Sequence, residues 1–538
     1  MIPVGLGLIL LLTAGAKGLA CTNLLVTKGA SRDGSVIVTY LADSHTLFGV
    51  LAYSPAGRYA PGAMRDIYDS DSGKYLGQIK QVAETYSVVG LMNEFQVAIG
   101  ETTFGGREEL AGYEGGIDYG SLMTIALERA KTAREAIRVI ADLTKEYGYN
   151  STGESLSIAD KNEAWLMEII GKGKDEKGAL WVARRVPDGY ICAHANQPRI
   201  TQFPQNDPKT CLFSEDVIAF ARKKGWFTGE DKDFSFVGAY APPDFGALRF
   251  CESRVWRIFD RAAPSLKIPI ELVKGTDPTP LPLWVKPDQL ISVPDAMALM
   301  RDHFEGTEFD LSQGVGAGPY ALPYRWRPLT WKVDDVEYLN ERAISTQQTG
   351  FSFVSQSRSW LPDALGGVLW FGVDDTYSTV YVPMYSSIRK IPKSYAADAG
   401  SFNEFSWDSA FWVFNFVANY IYGRYSEMIV DVRKAQSELE SRFLGEQPAV
   451  EEAALSIFKE SPERARQYLA DYSCRLGEET VARWRKLGEF LIWKYLDGNL
   501  RDEAGEVKHP GYPKDWNKRM AQDGGEGLKV KKLPAAKN

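Results

Sequence analysis

Cys21 has the setting that points most directly to chemistry. It follows a short apolar leader and opens the run Cys21-Thr22-Asn23-Leu24-Leu25-Val26-Thr27, which reads as a buried strand. Leu6 to Leu12 form the leader's apolar core, and Gly18-Leu19-Ala20 supplies the small residues that a signal peptidase reads. Cleavage before Cys21 would put a thiol and a free α-amine on one residue. Their reference pKa values, ~8.5 and ~7.7–8.0, lie close enough for the amine to take the thiol proton directly or through a water. Nucleophile, base and leaving-group acid then need no histidine. Such a site also needs oxyanion donors and a charged group that holds the amine. Asp43, just beyond the β-prone stretch Ser35–Leu41, is a candidate for that group, although an ordinary strand-end carboxylate explains it equally well.

Other fates compete for Cys21. A cut elsewhere would leave a buried thiol. Lipidation of the cysteine would block both amine and thiol, but Gly18 is a poor match to the bulky aliphatic residue that a lipoprotein signal carries there. An uncleaved anchor falls short of the ~20 apolar residues that cross a bilayer. The expectation is a secreted or periplasmic protein with residues 1–20 as signal peptide and no stable membrane span afterwards.

Other chemistries find little support. The four histidines, His45, His194, His303 and His509, are far apart, and neither H-E-x-x-H nor C-x-x-C occurs. No metal or other cofactor is expected. There is no G-x-S-x-G elbow and no phosphate-binding glycine loop. A net charge of −8 over 538 residues gives no footprint for nucleic acid. Five cysteines are too few for a disulfide scaffold, though a Cys211–Cys251 bridge stays open. A homo-oligomer is equally open.

The elements that must position Cys21 come as strand hairpins, then a helical stretch, then more hairpins. Tyr86–Leu91, Gln96–Glu101, Glu154–Ala159, Ala164–Ile170, Leu180–Arg185 and Tyr190–Ala195 read as strands. Ser121–Tyr147 carries apolar residues at helical spacing and reads as one helix. Ser54–Lys74 reads as a surface loop. Ala343–Ser357 and Gly367–Val382 are strand-like again, followed by helices at about 409–443, 450–473 and 478–496. This order suits an α+β domain with antiparallel sheets better than a βαβ pattern. The expected divisions are a catalytic domain over 21–408, a helical extension over 409–500, and a polar, loosely ordered tail over 501–538.

Several segments together carry a resemblance. They are Cys21-Thr22-Asn23 through Asp33-Gly34-Ser35; Asp43-Ser44-His45; Met92-Asn93-Glu94 with Ala98 to Gly106; Gly153-Glu154-Ser155; Arg184 to Tyr190 running to His194-Ala195-Asn196; Ser253-Arg254-Val255-Trp256-Arg257; and Ser355-Gln356-Ser357-Arg358. In this order they resemble the dipeptidase A family of cysteine-type N-terminal-nucleophile (Ntn) hydrolases, related to penicillin V acylases and bile salt hydrolases. The resemblance implies a four-layer αββα sandwich that hydrolyses amide bonds of short peptides through a thioester on Cys21. It implies that Asp43 contacts the terminal amine, that Asn196 is the oxyanion asparagine, and that Arg254 lies near the nucleophile. Thr103 falls where acylase relatives line the oxyanion site. These relatives carry an arginine three residues before the aspartate, where this chain has Tyr40, which supplies no positive charge at neutral pH. For a dipeptide's two ends, the candidates are Glu101, Arg254 and Arg358. An N-acyl amidase of the same fold and a non-catalytic lipoprotein are the competing readings.

Overall fold

The computed structural model describes residues 21–532; the expected signal peptide lies outside the described residues. Ten principal strands follow in chain order: β1 (Thr22–Val26), β2 (Val36–Asp43), β3 (Ala98–Phe104), β4 (Gly153–Ala159), β5 (Ala164–Gly171), β6 (Ala179–Arg185), β7 (Ile191–His194), β8 (Thr349–Ser357), β9 (Gly367–Val373) and β10 (Val382–Tyr385). The first sheet has seven strands, in the order Trp284–Val285, β7, β1, β2, β8, β9, β10. The second has eight. It runs from Cys211–Phe213 through β6, β5, β4 and β3 to the short strands Met92–Asn93, Val88–Val89 and Tyr53–Ser54. Neighbouring strands are antiparallel throughout both sheets.

Every residue of β1, β2, β4 and β9 is buried. A strand covered on both faces no longer needs the apolar–polar alternation of a half-exposed one, which is why β1 and β9 read as nearly continuous apolar runs. β1 and β2 pack against β3 and β4, so the sheets face one another. His194 on β7 crosses this interface, with Nδ1 2.8 Å from the Thr102 hydroxyl and Nε2 2.7 Å from the Ser157 hydroxyl. Burial pushes its pKa down to about 3, so the ring stays neutral and bridges the layers as a hydrogen-bonding group.

Six principal helices complete the frame: α1 (Tyr119–Arg129), α2 (Ala133–Tyr147), α3 (Ser253–Ala262), α4 (Ala410–Ile421), α5 (Tyr425–Glu460) and α6 (Pro462–Lys494). Ile137 and Ile140 of α2 share an apolar cluster with Ile99, Leu156 and Ile158 of the second sheet. A larger core holds Leu24, Val38 and Trp370 of the first sheet together with Phe414 of α4 and Trp484 of α6. The last two rings stack with centroids 4.9 Å apart. The C-terminal helices are thus built into the core that backs the first sheet.

Several boundaries differ from the sequence reading for local reasons. The single helix expected over Ser121–Tyr147 is two, because the Thr132 side chain accepts from Glu135 N and starts α2 afresh. α5 continues through Pro448 and ends at Ser461-Pro462, where Ser461 caps α6 and proline fills its first turn. The expected loop over Ser54–Lys74 contributes to a ribbon of Met64–Tyr68 paired with Tyr75–Lys80, largely exposed and so without a strong apolar signature. All five cysteines are free thiols, Cys211 and Cys251 among them.

A buried ion pair joins the C-terminal helices to the sheets. Arg301 meets Glu440 of α5 at 2.5 and 3.0 Å, and Glu440 also accepts from Tyr381 N at 2.9 Å. Breaking such a pair from one side leaves a buried charge without a partner. Arg301→Met is expected to cost roughly 3–5 kcal/mol, read as a lowered urea midpoint. A change below about 1 kcal/mol, the range of exposed pairs, would mean that water reaches Glu440.

Candidate active site

Cys21 stands at the head of β1, a central strand flanked by β7 and β2. Thr22 pairs with Leu41, and continuing that register by one residue sets Cys21 against Ala42, next to Asp43. The thiol is buried, with Sγ 3.4 Å from Glu101 Oε1 and 3.9 Å from the Tyr40 hydroxyl. Tyr40 in turn donates to Glu101 Oε1. The tyrosine that stands in place of the family arginine is therefore beside the nucleophile candidate, as a neutral hydrogen-bonding group.

Burial is the largest influence on the thiol and raises its pKa well above the ordinary value; Glu101 and Asp43 raise it further. The Asp43 backbone N–H and the Tyr40 hydroxyl oppose this. Such surroundings favour the protonated thiol, so attack requires a base that removes the proton as the new bond forms.

Glu101 has a second carboxyl as neighbour. Thr103 pairs with Glu154 across β3 and β4, which makes Glu101 and Glu154 diagonal neighbours on one face. Both are fully buried and both are raised, first by burial. Like charges on neighbouring buried carboxyls do not both ionise readily, so Glu101 adds to burial in raising Glu154.

Asp43 is 0% exposed; its Oδ2 accepts from Arg342 Nη2 at 2.6 Å and its Oδ1 from the Thr349 hydroxyl at 2.6 Å. Burial raises its pKa while Arg342, Thr349 and Arg254 pull the other way. Arg342 brings positive charge to this end of β2, where no arginine stands on the strand itself.

Arg254 of α3 is also buried, and its five N–H donors are all engaged. Nε reaches Phe250 O at 2.8 Å; Nη1 reaches Cys21 O at 2.5 Å and the Thr22 hydroxyl at 2.7 Å; Nη2 reaches Ala195 O at 3.2 Å and Asn196 Oδ1 at 2.9 Å. Arg254 therefore pins the start of β1 to the Asn196 turn. Asn196 has φ 60°, a left-handed conformation that asparagine tolerates better than most residues. Its Nδ2 donates to Thr103 O at 2.7 Å. Thr103 enters the site through this carbonyl, and its hydroxyl lies 3.4 Å from Glu101 Oε2.

Arg358 belongs elsewhere. It follows Ser357, which pairs with Val36 at the far end of β2 from Asp43. Seven residues of strand separate those ends, roughly 23 Å at ~3.3 Å per residue. Its guanidinium bonds Gly366 O, Leu365 O and Glu451 of α5, and its work is to fasten that helix. Arg342 and Glu154 were not singled out from sequence. Glu154 lay inside a recognisable motif, whereas Arg342 meets Asp43 only because 299 residues of chain fold back on themselves.

Among the described residues, no group of three or more His, Cys, Asp or Glu is arranged to hold a metal ion. Nor is any described helix long and apolar enough to cross a membrane.

The site brings together a buried thiol, two neighbouring buried carboxyls and an arginine-held asparagine. Residues 49–438 match the model of Peptidase family C69, and the chain belongs to that family and is a hydrolase of peptide bonds. It is similar to proteins named "Probable dipeptidase" from Latilactobacillus sakei (24% identity, 78% of this chain and 85% of the relative) and from Salmonella dublin (25%, 69% and 82%). It is similar also to "Probable dipeptidase B" of Streptococcus pyogenes serotype M1, at 24% identity over 91% of this chain and 96% of the relative.

Proposed function

We propose that the protein is a secreted or periplasmic dipeptidase of the Ntn type, with a four-layer αββα catalytic core and Cys21 as its mature first residue. The observation that carries this is the convergence on one cysteine, at the head of a central strand, of Glu101, Asp43, Arg254 and, through Arg254, Asn196. The dipeptidase names of the relatives support the substrate class.

In this reading the α-amine of Cys21 takes the thiol proton as sulfur attacks the scissile carbonyl. The raised thiol pKa suits such concerted transfer better than a resting thiolate. The oxyanion accepts the Asn196 Nδ2 hydrogen that Thr103 O leaves over. The ammonium then protonates the leaving amine, and water hydrolyses the thioester. Asp43 holds the amine in place. The Glu101–Glu154 pair, beside Sγ, receives the free ammonium of the substrate's first residue, two bonds from the carbonyl under attack.

The test offers the mature protein unblocked dipeptides, N-acyl amides and longer peptides, with the mass of its N-terminus determined in parallel. The expectation is a chain that begins at an unmodified Cys21 and cleaves dipeptides. A diacyl adduct on Cys21 would end the catalytic reading, and cleavage of N-acyl amides alone would make the protein an acylase.

A further inference from the structure

Three acidic side chains gather on the Glu101 side of the thiol, where a dipeptide supplies a single α-ammonium. Glu101 lies 3.4 Å from Sγ, and Glu154 stands diagonally from it across β3 and β4. Both are buried. Glu154 has Glu101 and Thr103 as neighbours, yet neither of its carboxyl oxygens has a hydrogen-bond partner at ordinary distance. The Tyr149 hydroxyl is likewise buried without a partner, and Glu154 is the charge that acts on it most strongly. A buried carboxyl in this state is costly unless a proton or a cation satisfies it.

The third acid is Asp71, exposed on the tip of the ribbon formed by Met64–Tyr68 and Tyr75–Lys80. The tip is a closed turn, with Gly73 N on Asp69 O at 2.8 Å, and it is tied to the start of α1. Ser70 donates to Asp118 Oδ2 from N at 3.1 Å and from Oγ at 2.7 Å, and the same oxygen accepts from Ser121 N at 3.1 Å to cap α1. Ser121 Oγ in turn donates to Tyr68 O at 3.0 Å. A side chain at position 120 would run into Ser70, so Gly120 permits this close approach. Tyr119 donates its hydroxyl to Asp71 Oδ1 at 3.0 Å, and its backbone N–H donates at 3.0 Å to Oγ of Ser151, three residues before Glu154. Asp71 is thereby fixed beside the segment that carries Glu154. It is near enough to raise both Glu101 and Glu154, and Glu101, Glu154, Asp71 and Cys21 all raise Tyr119. No cationic group is among the leading influences on Glu101, Glu154 or Tyr119.

A proton would satisfy Glu154, but it would not account for a ribbon that brings a further carboxylate to the same place. A substrate can supply the cation. The α-ammonium of its first residue belongs beside Glu101, next to the carbonyl under attack. A lysine or arginine at that residue carries a second positive charge at the end of a three- or four-carbon stem, which extends it away from Sγ.

We propose that Glu154, Asp71 and Tyr119 form the subsite for the side chain of the substrate's first residue, and that this subsite takes a basic side chain, so that the enzyme prefers dipeptides beginning with lysine, ornithine or arginine. This deepens the dipeptidase reading and rests on it. Asp71 is then a specificity-determining residue, and the exposed ribbon serves to carry it to the site.

The test measures equilibrium binding by calorimetry, so that it does not depend on turnover. Protein beginning at residue 21 and carrying Cys21→Ala is titrated with lysyl-alanine and with norleucyl-alanine, whose first side chain has a similar length and no charge. Lysyl-alanine is expected to bind about 10–100-fold more tightly, the range of one charge-assisted hydrogen-bonded contact. Adding Asp71→Asn, a change at an exposed side chain, should remove most of that advantage, while norleucyl-alanine loses far less. Equal affinities in the Cys21→Ala protein, equal losses for both ligands with Asp71→Asn, or no binding of either would overturn the proposal. Turnover by unsubstituted protein separates the two claims: hydrolysis that treats the two dipeptides alike sinks this one alone, and absence of all Cys21-dependent hydrolysis sinks the dipeptidase reading.

Discussion

Cys21→Ala is expected to reduce peptide hydrolysis by about 10⁴-fold or more, the scale seen when a covalent nucleophile is removed. In the proposed mechanism the thiol forms the bond that divides the reaction into acylation and deacylation, and no neighbour can substitute. Tyr40 is a buried phenol pushed far up, and burial raises both Glu101 and Glu154. The fold should survive, because the exchange trades one small buried side chain for another and the Cys21 carbonyl keeps its bond to Arg254. Cooperative unfolding near the parent midpoint together with loss of turnover is the predicted result. Activity near the parent level would move the nucleophile elsewhere.

Asn196→Ala is expected to lower kcat by about 10²–10³ with a smaller change in KM, since an oxyanion donor acts in the transition state more than on the bound substrate. The loss has two sources. The Nδ2 donor disappears, and Arg254 Nη2 loses Oδ1 as an acceptor. Asn196→Asp separates them, because aspartate keeps an acceptor for Arg254 and tolerates the left-handed backbone but donates nothing. If both variants fall alike, the donor matters most; if the Asp variant retains kcat, Asn196 acts only by positioning Arg254.

Much of the frame around the candidate site was legible because it is local. Cys21 through Val26 is apolar in an unbroken run, as a strand covered on both faces should be, and Asp43 follows a second such run. Asn196 and Arg254 are named through the family resemblance alone, and the structure joins them by a direct hydrogen bond. The tertiary part was not legible. Arg342 lies in an irregular stretch without periodicity, and only folding brings it to Asp43. Arg358 misled because an arginine after a strand looks the same whether the strand's near or far end is at the site. α5 passed through Pro448 because packing outweighs one lost backbone bond, whereas Thr132 and Glu135 carried a capping signature that could have split α1 from α2.

The account rests on a free α-amine at Cys21, and one comparison tests it most directly. Two forms of the protein are assayed on unblocked dipeptides, one beginning at Cys21 and one with a single alanine ahead of it. The added residue leaves the thiol, Glu101, Asn196 and the arginines in the sequence and converts the amine to an amide that cannot take a proton. Activity only in the form that begins at Cys21 is the predicted result. Equal activity in both would contradict the mechanism and show that another group serves as the base.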